Sequence, residues 1–149
     1  KSYTQAVNLV RKAIQINPKE PMFFKNLETI YKQLGNPSLI ITDYNFYLKE
    51  KEDLDLIRGY GMAVGRNMRQ ASFRLYNKGY LEKTILKWVE IEKIYKEIDH
   101  QSGLVSVYFS LGILYEEKGE SQNAKNYFDL VLKLNPLHIQ AKERLYNIR

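Results

Sequence analysis

The chain has 149 residues, 44% of them hydrophobic and 27% charged, with only 8 Gly and 4 Pro, a composition that fits one ordinary folded domain. It contains no cysteine, which excludes disulfides, thiolate zinc sites and thiol catalysis together. A formal net charge of +6 permits an acidic partner, nucleic acid or an anionic membrane surface, although acidic residues are interleaved throughout, as on any Lys-rich solvated face. The longest apolar run, Leu104 to Tyr115, is too short to span a bilayer and carries Ser106 and Ser110. The chain opens directly on an amphipathic stretch, so any targeting segment is expected upstream of Lys1, and the compartment is left open.

Apolar residues recur at three- and four-residue spacing almost throughout, with no sustained alternation of period two, which predicts an all-α chain. In chain order, the first predicted helix is Tyr3–Ile16, stopped by Asn17-Pro18. A second, Pro21–Leu34, carries proline where a first helical turn tolerates it and is followed by Gly35. The third is Pro37–Lys49. The fourth, Leu54–Asn77, contains Gly59, Gly61 and Gly65, each weakening a helix by about 1 kcal/mol relative to alanine, so a bend or local fraying is expected there as readily as a straight rod. Tyr80–Ile98 follows Gly79, and Leu104–Lys118 is stopped by Gly119. Ser121–Leu134 ends at Asn135-Pro136, and Ile139–Ile148 closes the series.

These helices repeat in pairs. Between Val105 and His138 the sequence reads Tyr108-x-x-Leu111-Gly112-x-x-Tyr115, then Gly119, Ala124-x-x-x-Phe128 and Pro136. Tyr108, Leu111, Gly112 and Tyr115 share one helix face. Gly112 lets a second helix come close, Ala124 supplies the small surface opposite, and Phe128 fills the volume beside it. This stretch resembles the tetratricopeptide family, whose helix–turn–helix unit is about 34 residues long, with Tyr in place of the usual Trp. Looser copies are Phe24-x-x-Leu27-Glu28-x-x-Tyr31 with Gly35 and Ile40-x-x-x-Tyr44, where Glu28 replaces the small residue, and Met68-x-x-Ala71-Ser72-x-x-Leu75 with Gly79 and Thr84-x-x-x-Trp88. Trp88 is thereby expected in the core.

The resemblance implies an α-solenoid of antiparallel helix pairs. It divides the single domain 1–149 into a partial repeat (1–20), a degenerate repeat (21–54), an irregular extended repeat (55–104), a well-matched repeat (105–138) and the start of a further or capping helix (139–149). Relative to uniform repeats of about 34 residues, about ten extra residues fall before Met68 and about six after Lys96. The first insertion is expected to lengthen the helix ending at Asn77 or to add a short one before it. The second is expected to lengthen the loop around Ile98–Gly103.

No catalytic pattern is visible. His100 and His138 have no carboxylate–histidine motif around them, and Gly59, Gly61 and Gly65 lack the strand and Gly-Lys-Ser/Thr of a phosphate-binding loop. No enzyme activity, metal or cofactor is therefore expected. Members of the resembled family receive peptides in a groove lined by the first helices of successive pairs. Helical spacing selects Lys25, Thr29 and Lys32, with Met22 beside them, then Arg66, Arg69, Phe73 and Tyr76, then Phe109 and Ile113 with Ser106 and Glu116, and finally Gln140, Glu143 and Asn147. Cations with aromatics between them suit an acidic, partly apolar segment, and Phe109 and Ile113 have no packing duty in the repeat. The expected function is a protein-interaction scaffold holding a peptide or helical segment of a partner protein. Nucleic-acid binding, encouraged by the basic charge, and self-association through the apolar faces of the cut repeats are the less favoured alternatives.

Overall fold

Residues 2–50 and 53–148 are described by the computed structural model, and every regular element among them is an α-helix. In chain order these are α1 (Ser2–Ile16), α2 (Pro21–Gln33), α3 (Leu39–Glu50), α4 (Leu54–Asn77), α5 (Leu81–Glu97), α6 (Gln101–Lys118), α7 (Ser121–Leu134) and α8 (Ile139–Asn147). The architecture is an all-α helical repeat. Its contacts form two compact units, one up to Asn67 and one from Met68 onward, so that the division falls within α4.

In the first unit α1 packs on α2 and α2 on α3. Pro21 opens α2, and the Glu20 carboxylate accepts the Met22 backbone N–H at 3.0 Å, satisfying one of the free donors of the first turn. The Asp53 side chain does the same for α4, accepting from Asp55 and Leu56 at 2.8 and 3.3 Å. Phe24, Leu27, Ile40 and Tyr44 are fully buried or nearly so, and Phe24 meets Tyr60 edge-on at 5.1 Å. A polar cluster ties the first three helices together. Arg11 donates to the Tyr31 hydroxyl (2.7 Å) and to Asp43 (2.9 Å), and Tyr31 donates to the other Asp43 oxygen at 2.5 Å. Burial raises the Asp43 carboxyl above the ordinary range even though both bonds pull it down.

The expected weak point in α4 is an uninterrupted helix. Tyr60, Gly61, Ala63, Val64 and Gly65 are at least partly buried, and the extra residues before Met68 lengthen this helix instead of adding another. Gly59 has a steric reason: a Cβ there would lie 2.1 Å from Phe24 Cζ. The glycine is the gap into which the Phe24 ring fits.

In the second unit α5 packs on α6, α6 on α7 and α7 on α8. Leu111, Val107, Ala124, Phe128 and Val131 are completely buried, and each large apolar side chain so placed contributes roughly 1.5–3 kcal/mol. A Cβ at Gly112 would stand 2.5 Å from the Phe128 ring, which is the close approach the sequence pattern implies. Trp88 is buried at 4% exposure. At the end of α6, Gly119 takes φ +88°, with its N–H donating to Glu116 and that of Glu120 to Tyr115, a Schellman closure.

The loop expected at Ile98–Gly103 is shorter. Only Ile98–His100 lie outside helices, and α6 begins at Gln101. Asp99 adopts φ +53° and takes the position that Gly35, Gly79 and Gly119 fill at other helix ends, with His100 N–H returning to the Tyr95 carbonyl at 2.8 Å. The extra residues there extend helices, and Gly103 leaves space for His100 and Tyr95, whose rings meet edge-on at 4.8 Å.

Candidate partner-binding surfaces

Each unit carries part of the expected residue set. On α2, Met22, Lys25, Thr29 and Lys32 are exposed, and the Thr29 hydroxyl bonds back to the Lys25 carbonyl at 3.0 Å. Lys25 and Lys32 have no ion-pair partner among the described residues. Arg66 is different. Its guanidinium holds Glu28 through three contacts, the shortest 2.5 Å, and both side chains are largely covered. Glu28, the residue standing where the repeat pattern wants a small one, is thus the internal acceptor for this cation.

In the second unit, Arg69, Phe73 and Tyr76 follow one another at four- and three-residue spacing on α4, which places them on one face. Phe73 is 52% exposed, although its ring approaches Trp88 at 6.1 Å. Tyr76 donates to Glu117 on α6 at 2.7 Å, and that bond holds the phenol above its usual range. The Arg69 Nε is buried without a hydrogen-bond partner among the described residues.

A concave feature among these residues lies between α6 and α8. Phe109 and Ile113 from α6, one turn apart, and Gln140, Glu143, Arg144 and Asn147 from α8 line an open cleft of about 370 Å³. Phe109 is half-buried because its ring lies against Phe128 (5.7 Å) and beneath His138 (4.9 Å). His138 also caps α8, its Nδ1 accepting the Ala141 N–H at 3.1 Å. Arg144 donates to Glu116 at 2.9 Å, fastening α8 to α6 beside the cleft. A larger, more open depression of about 660 Å³ is bounded by Lys142, Glu143, Tyr146 and Asn147.

Chemically the cleft has an apolar floor, two side-chain amides that can both donate and accept, and a carboxylate. Helical spacing alone brought Phe109, Ile113, Gln140, Glu143 and Asn147 to one side. It missed Arg144, whose role depends on Glu116 twenty-eight residues away, and His138, which roofs Phe109 from a turn. No group of three or more metal-ligating side chains occurs among the described residues, and no helix there is long and apolar enough to cross a membrane.

A family model described as tetratricopeptide repeat matches residues 105–136, the α6–α7 pair whose Gly112 and Phe128 interlock, and together with the fold it defines a tetratricopeptide-repeat protein. A curated relative, the uncharacterized protein ycf37 of Pyropia yezoensis, is 30% identical over 140 residues, covering 86% of this chain and 75% of that one. The chain belongs to the ycf37 family. Among solved structures, a thermophilic tetratricopeptide-repeat protein of Thermus thermophilus is 19% identical and covers 98% of this chain and 90% of that one, with a TM-score of 0.30. Tetratricopeptide repeats generally mediate protein–protein interactions, and proteins built from them are typically non-enzymatic scaffolds.

Proposed function

We propose that this chain is an interaction scaffold that holds an extended or helical segment of a partner protein, with the α6–α8 cleft as the principal contact. The observation that carries the reading is the composition of that cleft. Phe109 and Ile113 are only partly covered by their own unit, and Gln140, Glu143 and Asn147 edge them with polar groups. A partly apolar cleft with a few convergent polar groups is what a bound side chain or short segment requires. Its volume stands at the low end for ligand sites, so the contact suits one or two side chains of a chain that continues along the surface. The Arg69–Phe73–Tyr76 face of α4 offers such a continuation within the same unit. Lys25, Thr29 and Lys32 on α2 form a separate cationic face suited to acidic residues.

A photo-crosslinking residue placed at Gln140 tests the reading in an extract of the source organism. Discrete crosslinked proteins that disappear with Asn147→Ala and Phe109→Ala are expected. Crosslinks that are absent, or that persist unchanged in both variants, would remove the cleft as the site.

A further inference from the structure

We infer that the α6–α8 cleft receives a basic side chain, arginine above lysine, from the bound segment. This inference rests on reading the cleft as the partner site and adds the chemistry of what enters it. The argument begins with charge. Two charged residues line the cleft, Arg144 and Glu143, and Arg144 is paired with Glu116 at 2.9 Å. Glu143 is exposed and has no ion-pair or hydrogen-bond partner among the described residues. Glu143 is therefore the one carboxylate of the lining and is left without a partner, whereas the Arg144 cation is already held by Glu116, on a chain whose net charge is +6.

The local sign decides at contact range. Charges more than about 8–10 Å away are largely screened at physiological ionic strength, whereas a carboxylate in the cleft is not. Lys142 borders the neighbouring depression with Glu143 but makes no ion pair with it. An acidic side chain entering here would meet Glu143 directly; a neutral apolar one would strand that carboxylate beside it.

Shape adds the second requirement. Phe109 and Ile113, one helical turn apart, form an apolar strip, and Gln140, Glu143 and Asn147 run along the facing side of α8. A long side chain with a methylene stem and a cationic head matches that layout, its stem on the strip and its head at the carboxylate. Arginine matches best. Its planar guanidinium forks to a carboxylate and still offers N–H groups to the amide oxygens of Gln140 or Asn147.

The test is a selection of random linear peptides displayed on phage, performed on the full chain and in parallel on Glu143→Gln, Glu143→Lys and Phe109→Ala. Glu143 is exposed, so its variants should fold, and a thermal melt confirms it. The expected result is enrichment of arginine-containing peptides by the wild type. Their affinity should fall about 5-fold in Glu143→Gln, further in Glu143→Lys, and also with added salt. Replacing the arginine by lysine should weaken binding, and by glutamate should abolish it. Phe109-dependent peptides without a basic residue, or basic peptides that bind Glu143→Gln unchanged, would overturn this inference and leave the scaffold reading standing. Selected peptides whose binding is indifferent to both Phe109 and Glu143 would overturn the inference together with the cleft as a site.

Discussion

At Gly112 two effects of one added methyl group oppose each other, and geometry decides between them. Alanine is the better helix former by about 1 kcal/mol. A Cβ there, however, would stand 2.5 Å from the ring of Phe128, which is fully buried, so something in the core must shift. Overpacking of this kind costs typically 1–3 kcal/mol, so Gly112→Ala should lower the thermal midpoint and Gly112→Leu should lower it further. An unchanged melt for Gly112→Leu would contradict the α6–α7 packing. Gly119→Ala separates the two reasons for a glycine, because nothing lies within 4 Å of its position and only the φ of +88° opposes a side chain. It should cost about 1 kcal/mol. Asp43→Ala tests the polar cluster by leaving Tyr31 without its acceptor and Arg11 with the Tyr31 hydroxyl alone. Because Arg11 is 41% exposed and water can replace its bond, a loss of about 1–3 kcal/mol is expected in denaturant unfolding. Gly112 and Phe128 were legible in the sequence because their spacing is local and periodic. The Arg66–Glu28 pair was not, since its members lie 38 residues apart and neither has a local signature.

Among the elements, α4 departs most from what its sequence alone implies. Three glycines in one helix predict weakness by propensity, yet the helix runs unbroken over Leu54–Asn77. Tertiary packing overrides propensity here: Phe24 needs the space at Gly59, and Gly61 and Gly65 are themselves at least partly buried. Gly59→Ala should therefore destabilise by about 1–3 kcal/mol, although the same change in an exposed helix stabilises. Hydrogen exchange provides a second check. Backbone amides over residues 57–65 should exchange as slowly as those over 111–115, and rapid exchange confined to the glycine segment would show a frayed helix. The other helices were legible to within a few residues because Pro, Gly and apolar periodicity mark them. The start of α6 was misplaced for a physical reason. Asp99 adopts the left-handed conformation usually given to glycine, so the turn closes earlier than a glycine-based reading allows.

For the whole molecule, the fold is an all-α repeat containing a tetratricopeptide unit, a kind of repeat that generally mediates protein–protein interactions. Which surface does so is the central claim, and only its components were legible in the sequence. Periodicity put Phe109 and Ile113 on one face of α6 and Gln140, Glu143 and Asn147 on one face of α8. That the two faces border one cleft, and that His138 covers part of Phe109, depends on the turn before α8. The most direct measurement is the affinity of a partner captured at Gln140, determined by titration calorimetry for the wild type and for the Phe109→Ala, Asn147→Ala double variant. Removing the apolar floor at roughly 25 cal/mol per Å² together with one amide contact should weaken binding by at least about 10-fold, with helicity retained. Full affinity in a folded double variant would contradict the account.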